Sequence, residues 1–291
     1  MKISGFTFVR NAVKFDYPVL ESINSILSIV DEFIVSVGNS DDGTLELIQS
    51  INSPKIKIVH SVWDESLKEG GRVLAVETDK AFAQISPDAE WAFYLQADEV
   101  VHEKDLPIIL NAAKQHLHNK EVEALIFEYK HFYGTYDYIG DSRRWYAFEI
   151  RMIKNNKDFY SYRDGQGFRI GKDRKLFVKH AHASIYHYGW VRHPHKQLEK
   201  LNNFYGLWNG EEYRASVINE KEQFDFFKNV DSVSLFKGQH PAVMQKRIAE
   251  KNWNLDFDTS QKKFSFKDRV LYRLEQLTGR RLFRFRNYTK V

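Results

Sequence analysis

The sequence predicts an α/β fold in which helices flank a mainly parallel central sheet, followed by a helical C-terminal extension. Over the first hundred residues, short runs rich in β-branched and aromatic residues alternate with helical patterns in the order β, α, β, α, β, α, β. Such alternation is typical of a parallel sheet with right-handed crossovers. From residue 197 onward the pattern is helical and aromatic, with no series of strands.

The elements follow from periodicity. The predicted strands in the first part are residues 3–9, 32–37, 55–60 and 91–95. The predicted helices between them are a segment with Leu20, Ile23, Ile26, Leu27 and Val30 on one face, then residues 44–51 and 72–85. Further along, the sequence predicts a helix over 104–118, a strand over 123–134 and a strand over 184–188 that places His187 at its end.

Composition excludes several classes of protein. The chain has 291 residues, of which 43% are hydrophobic, so it can form a packed core and is too apolar to be disordered. It has no run of about 18 apolar residues that could cross a membrane, and its start is too soon polar for a signal peptide. With no cysteine, disulfides and thiolate metal sites are excluded. We therefore expect a cytoplasmic protein.

Two adjacent acids follow the fourth predicted strand. The run WAFYL gives way at once to Gln96, Ala97, Asp98 and Glu99. Ligands of parallel α/β sheets bind beyond the carboxyl ends of the strands. Carboxylates there can hold a divalent cation, and the cation can hold a diphosphate. The alternative is that both acids only cap the next turn or helix.

Four segments in register carry a resemblance to a known family. They are VRNA (9–12), VSVGNSDDGTLELI (35–48), GGRVLAVETDKAF (70–82) and YLQADE (94–99). In order and spacing they resemble the nucleotide-sugar half of family 2 glycosyltransferases with the GT-A fold. The resemblance implies a GT-A domain that binds a nucleotide sugar, and it covers about the first hundred residues.

The resemblance implies a donor site and one metal ligand. The implied donor-binding residues are Arg10, Asn11, Asn39, Ser40, Asp42, Arg72 and Gln96. Asp98 matches the acid that ordinarily coordinates the metal, which is expected to be Mn²⁺ or Mg²⁺. Two positions depart from the family pattern: Val37 stands where an acid usually contacts the base and ribose, and Gln96 stands where the signature usually begins with Asp. The donor nucleotide is therefore left open.

A catalytic carboxylate is expected in the second half. Inverting transfer needs a base that takes the proton of the acceptor hydroxyl. The candidates are Asp141, Glu149 and Asp164. In the glycosyltransferases that this chain resembles, the base lies a few tens of residues before a metal-binding histidine, and Asp164 precedes His187 by 23 residues. Asp164 is therefore the predicted base, against the alternative of a simple Asp-Gly turn.

The segment 179–195 contains five histidines. His187, in HYGW, looks like the family's further metal ligand. A zinc hydrolase built on the HxH and HPH pairs is the rival hypothesis, but it lacks the HExxH spacing that places two ligands and a base on one helix. Arg192 is expected to neutralise the departing diphosphate.

Aromatic residues and the C-terminal tail indicate possible partners. A sugar-binding platform is one hypothesis for Tyr133, Tyr136, Tyr138, Trp145 and Tyr146, and burial in the core is the other. Residues 262–291 contain ten Lys and Arg against Asp268 and Glu275. In this tail Val270, Leu271, Leu274 and Leu277 have helical spacing, so the helix could lie on an anionic membrane surface or pack on its own domain. No nucleic-acid motif accompanies the charge, so no nucleic-acid partner is expected.

These observations combine into one expected function. Residues 1–100 form the nucleotide-sugar half of the GT-A domain, 101–196 the acceptor-side half with the base and the histidine ligand, and 197–291 a mostly helical extension that covers the acceptor cleft or mediates a homodimer. The expected activity is inverting, metal-dependent transfer of a hexose or related sugar to a polysaccharide, lipopolysaccharide or other glycan. A lipid-linked acceptor would place the protein at the inner face of the membrane. The alternatives are a catalytically silent sugar-nucleotide or glycan binding protein on the same scaffold and a basic module that binds lipid or nucleic acid.

Overall fold

The computed structural model describes residues 1–64, 66–67, 69–217 and 223–291, with backbone only for 69 and 208–217. Residues 218–222 of the predicted extension lie outside the described residues. The strands are β1 Ile3–Val9, β2 Glu32–Gly38, β3 Ile56–Ser61, β4 Trp91–Tyr94, β5 Glu99–Val101, β6 Ala124–Gly134, β7 Tyr138–Gly140, β8 Phe148–Lys154, β9 Phe159–Tyr162, β10 Gly167–Ile170, β11 Arg174–Lys175, β12 Phe177–Val191, β13 Val233–Leu235 and β14 Thr289–Lys290. The helices are α1 Val19–Ile26, α2 Thr44–Gln49, α3 Arg72–Ala83, α4 Leu106–Gln115, α5 Pro194–Val217, α6 Gln245–Ala249 and α7 Phe266–Thr278.

One large sheet organises the molecule. Its strand order is β13-β7-β6-β8-β4-β1-β2-β3, and β12 joins it by pairing with β5, β6 and β14. The strands β3, β2, β1 and β4 are parallel, as are β6 and β12, whereas β8 runs antiparallel to β4 and β6. The predicted α/β class, a large sheet flanked by helices whose first part is parallel, is confirmed. This is the architecture that the GT-A resemblance implies.

The core lies on both faces of the sheet. The apolar side of α1, formed by Val19, Ile23 and Ile26, packs against one face together with α4. On the opposite face, Ala81 and Phe82 of α3 pack in a second buried cluster. Because helices cover both faces, β1 and β2 are buried almost throughout, which is why they read as continuous apolar runs.

Two predictions about strands need correction. The strand that carries His187 runs from Phe177 to Val191, so His187 lies within it and not at its end. The pairing of β12 with β6 shifts register between His187 and Trp190, and such bulges re-aim side chains locally. The C-terminal extension also contributes two short strands, because β13 pairs with β7 and β14 pairs with β12. The proposed domain boundaries stay a prediction.

Candidate functional site

A cavity of about 260 Å³ lies at the carboxyl ends of β1 and β4. Both halves of the chain and the C-terminal extension line it. Its polar lining consists of Arg10, Tyr17, Gln96, Asp98, Asp164, His187, Gln197, Lys200 and Asn203. The structure therefore brings the predicted metal ligands and the predicted base together around one cavity, although they are far apart in the sequence.

Asp98 lies in this cavity beside a lysine and a histidine. The Nζ of Lys200 donates to its Oδ2 at 3.0 Å, and the Nε2 of His187 lies 3.8 Å from its Oδ1. Burial alone would raise the pKa of Asp98, but the positive charges of Lys200 and Arg192 and the hydrogen bond from Lys200 hold it well below its usual range. The carboxylate is therefore ionised and available to a cation.

The hydrogen bonds of His131 fix the tautomer of His187. The Nε2 of His131 lies 2.8 Å from the carbonyl oxygen of Tyr146, which can only accept, so this nitrogen carries the proton. Burial lowers the pKa of His131 well below its usual value, so its Nδ1 is a lone-pair acceptor for the Nδ1–H of His187 at 3.0 Å. Burial also lowers the pKa of His187, which leaves the Nε2 of the neutral ring as a lone pair facing Asp98.

The absence of a side chain at Gly189 leaves room for the side chains of Asp98 and His187. A Cβ at Gly189 would lie 2.6 Å from the Nε2 of His187 and 2.9 Å from the Oδ2 of Asp98. Any larger residue would collide with both groups. Gly189, two residues after His187 in the sequence, is therefore part of the site.

The Asp98 and His187 atoms fit a divalent cation. Metal–ligand distances for nitrogen and oxygen are about 2.0–2.2 Å, so two atoms 3.8 Å apart can bind the same ion. The histidine presents a lone pair and its other nitrogen is held by a second residue, as is usual for metal-ligating histidines. Within the described ranges, no group of three or more His, Cys, Asp or Glu is placed to hold a metal, so further ligands would come from a bound diphosphate or water.

Asp164 lines the same cavity from the turn between β9 and β10. Its Oδ1 is buried and has no hydrogen-bond partner among the described residues. Burial raises the pKa of Asp164, so this carboxylate is a stronger base than an exposed one. The turn is shaped by Gly165, whose φ of +82° disfavours any residue with a side chain.

The predicted donor-binding residues divide into two groups. Arg10 and Gln96 line the cavity, and Arg10 lies over the ring of Trp63 at 5.4 Å. Asn11, Ser40 and Asp42 follow β1 and β2, and they join the two adjoining loops by hydrogen bonds. Asn11 N–H donates to the Oγ of Ser40 at 3.0 Å, and Lys14 N–H donates to the Oδ2 of Asp42 at 2.7 Å.

Asn39, Arg72 and Arg192 lie outside the described lining of the cavity. The carbonyl oxygen of Asn39 accepts from Arg10 at 3.1 Å. Arg72 is exposed at the first position of α3. Arg192 is fully buried beside Gly189, whose carbonyl accepts from it at 2.9 Å. Arg192 therefore acts on the cavity through its charge, which helps to lower the pKa of Asp98.

Glu99, unlike its neighbour Asp98, binds only groups that hold the fold together. Its two carboxylate oxygens accept from the Nε and Nη2 of Arg151, each at 2.7 Å, and both side chains are fully buried. The hydroxyl of Tyr129 and the backbone N–H of Gln96 also donate to it. All of its acceptor positions are used by the protein, so Glu99 is structural and fixes the loop that carries Gln96 and Asp98.

We expect Arg151→Met to destabilise the protein by about 3–5 kcal/mol, because it leaves the Glu99 carboxylate buried without its partner. Urea unfolding of the variant measures the change in free energy. The matched control is Lys196→Met, which breaks a half-exposed pair with Glu199 and should cost no more than about 1 kcal/mol. Equal effects of the two substitutions would contradict the structural role of Glu99.

The remaining candidate residues lie elsewhere. Asp141 pairs with the Nζ of Lys262 at 2.9 Å, away from the described lining of the cavity. Glu149 lines a second cavity of about 470 Å³, where burial raises its pKa to about 7. Of the suggested sugar platform, the tyrosines at 133, 136 and 138 are buried in apolar clusters, and Trp145 and Tyr146 line the second cavity.

Sequence patterns missed several residues of the site. Lys200 is supplied by α5, in a segment expected to cover the cleft and not to take part in chemistry. His131 lies on β6 and has no motif around it. Trp63 follows β3 and joins Phe8 on the cavity wall, with their ring centroids 5.7 Å apart. From the sequence, His131 and Trp63 could be recognised only as a polar and an aromatic residue near strands of the sheet.

Comparisons with known proteins give likenesses in structure only. No family model matches the sequence, and no curated protein matches it significantly. Among solved structures, residues 1–349 of TarS from S. aureus in complex with UDP-GlcNAc match with 14% identity and a TM-score of 0.41, covering 70% of this chain and 65% of that one. Glucosyl-3-phosphoglycerate synthase from Mycobacterium tuberculosis, in complex with Mn²⁺, UDP and glucosyl-3-phosphoglycerate, matches with 18% identity and a TM-score of 0.32, covering 44% of each chain.

The synthase of 4-diphosphocytidyl-2C-methyl-D-erythritol from Anaerococcus prevotii also matches, with 16% identity and a TM-score of 0.35, over 53% of this chain and 71% of that one. This chain spans less than two thirds of the TarS fragment. At these identities and TM-scores, the likenesses do not decide the function. Membership of family 2 stays a prediction.

Proposed function

We propose that this protein is a nucleotide-sugar-dependent glycosyltransferase that transfers a hexose or related sugar to an acceptor hydroxyl with inversion. The observation that carries the proposal is the grouping of Asp98, the lone pair of His187 and the buried carboxylate of Asp164 around one cavity at the carboxyl edge of a parallel sheet. A cation-binding pair and a separate base are the two functions that such a transfer requires.

In the proposed reaction, Asp164 accepts the proton of the acceptor hydroxyl. The acceptor oxygen forms a bond to the anomeric carbon as the bond from that carbon to the diphosphate oxygen breaks. The electron pair of the broken bond leaves with the nucleoside diphosphate. The buried Oδ1 of Asp164 supports this role, because this oxygen has no protein donor and is free to accept a proton.

The negative charge of the leaving diphosphate needs stabilisation. Asp98 and His187 would hold a Mn²⁺ or Mg²⁺ ion, which supplies Lewis-acid neutralisation of the diphosphate when it is bound. Lys200 lies beside Asp98 in the cavity, and Arg192 is buried next to the cavity lining. Both therefore add positive charge near Asp98. Arg10 and Gln96, on the side of β1 and β4, are proposed to contact the nucleotide.

The acceptor in this proposal is a hydroxyl of a polysaccharide, a lipopolysaccharide or a lipid-linked glycan. A lipid-linked acceptor would be met at the inner face of the membrane. The cytoplasmic location expected from the cysteine-free composition and the homodimer stay predictions. Within the described ranges, no helix is both long and apolar enough to cross a membrane.

The proposed activity is tested by the release of nucleotide from a panel of UDP-, GDP-, CDP- and dTDP-sugars in the presence of Mn²⁺. Slow hydrolysis of one donor, lost in Asp98→Asn, would support a working transferase site and identify the donor. Donor binding in a thermal-shift assay without release, even when candidate glycans are added, would favour the silent binding protein. If no donor binds and no donor releases nucleotide, the proposal is contradicted.

His131 is proposed to position His187, which gives a separate prediction. His131→Phe keeps an aromatic ring but cannot accept from the Nδ1–H of His187, so the lone pair facing Asp98 is no longer fixed. We expect the Mn²⁺ concentration for half-maximal activity to rise about 10–100-fold, with kcat at saturating Mn²⁺ much less affected. The control is His180→Phe, which lies on β12, the strand that carries His187, but outside the cavity lining. An unchanged metal requirement in His131→Phe would contradict the positioning role.

A further inference from the structure

The helix α7 exposes an apolar stripe. Phe266, Val270, Leu274 and Leu277 recur at intervals of four, four and three residues and share one side of the helix. All four are exposed, Phe266 to 85% and Leu277 to 83%. The segment that follows adds Leu282, Phe283 at 90% and Phe285 at 72% exposure. These seven side chains form the tail patch, an unusually large set of apolar groups in contact with water.

The opposite side of α7 is fixed to the body of the protein. Glu275 accepts from the Nη1 of Arg143 at 2.8 Å and from the Nε of Arg281 at 2.7 Å. Leu271 and Tyr272 lie on this inner side, where they line the second cavity. These contacts set the rotation of the helix, so its apolar stripe faces outward because of specific contacts on its other side. Phe283 and Phe285, which follow the helix, are exposed but also line the second cavity.

Positive charges border the tail patch. Arg269 and Arg273 lie along one side of the stripe, Lys267 along the other, and Arg280 and Arg286 in the segment after the helix. All five are exposed, and in the described part of the chain none of them forms an ion pair with a carboxylate. Exposed apolar groups bordered by unpaired cations are complementary to a bilayer with anionic headgroups, where the apolar groups enter the acyl boundary and the cations meet phosphate.

We propose that the tail patch docks the protein on an anionic membrane surface. The helix lies on the surface and does not span it. This inference is independent of the catalytic proposal, because none of the tail-patch residues lines the cavity around Asp98. Charge complementarity favours a bilayer over a second copy of the chain, since two copies of this patch would bring their arginines together.

The test is flotation of the full chain with vesicles of phosphatidylcholine alone or of phosphatidylcholine mixed with phosphatidylglycerol. We expect binding to the anionic vesicles, at least about tenfold weaker binding to the neutral ones, and release as salt is raised. Leu277→Asp/Phe283→Asp should lose binding. Ile108→Asp/Leu235→Asp is the control, because it places the same charge at exposed apolar positions elsewhere and should bind as the wild type does.

Three outcomes would overturn the proposal. The first is no binding to either vesicle, and the second is equal loss of binding in the variant and the control. The third is that the wild type does not bind vesicles but forms a dimer, seen by light scattering, which Leu277→Asp/Phe283→Asp dissociates. That result would assign the patch to contact between copies. Equal melting temperatures of the two double variants would exclude misfolding as the cause of a difference.

Discussion

Replacing Asp98 by asparagine is expected to lower sugar transfer at least about a hundredfold while the fold survives. Asparagine keeps the shape and can still accept from Lys200, but it removes the negative charge that faces the lone pair of His187. A neutral amide binds a divalent cation far more weakly than a carboxylate does. The measurement is the rate of transfer or donor hydrolysis at fixed Mn²⁺, with circular dichroism to confirm the fold.

The matched control is Asp88→Asn, which removes one carboxylate charge from an exposed pair with Lys2 and should leave the rate unchanged. A rate for Asp98→Asn within a fewfold of the wild type would contradict the assignment of Asp98 to the metal.

Asp164→Asn should have the second large effect, about 10²–10⁴-fold on kcat. The amide cannot take the acceptor proton, but Arg10 and Gln96, the proposed donor contacts, remain, so the KM for the donor should change little. Because burial raises the pKa of Asp164 and the base acts when ionised, wild-type transfer should fall as the pH drops through that raised pKa. The measurement is the full pH–rate profile with saturating donor.

Asp158→Asn is the control, since this exposed residue lies on the loop before β9 and outside the cavity lining. An Asp164→Asn enzyme that retains wild-type kcat would move the role of base to another group.

The strands of the first hundred residues were predictable because helices bury both faces of the sheet. That burial demands continuous apolar runs, and β1, β2 and β4 end within about one residue of the predicted bounds. The tail shows the limit of periodicity. Spacing grouped Leu271 with Val270, Leu274 and Leu277, but the structure places Leu271 on the inner side of α7 and the other three on the outer side. Helical spacing alone does not say which side meets a partner.

The candidate site was predictable where chemistry is local in sequence. Asp98 follows a buried strand and His187 lies in the segment HYGW, so both could be found from their surroundings. The different roles of Asp98 and Glu99 could not be predicted, because they depend on Arg151 and Lys200, which reach these acids only in the folded chain. The same holds for His131, whose effect on the tautomer of His187 arises from strand pairing between β6 and β12.

The most direct test of the central claim is the binding of Mn²⁺ followed by electron paramagnetic resonance, with UDP, GDP, CDP or dTDP added in turn. The proposed site predicts that the wild type removes the signal of free Mn²⁺ when the matching nucleotide is present, and that Asp164→Asn does so equally well, since Asp164 is a base and not a ligand. Asp98→Asn should leave the signal unchanged. Equal Mn²⁺ binding by Asp98→Asn and the wild type would contradict the claim that Asp98 and His187 hold the cation of a donor diphosphate.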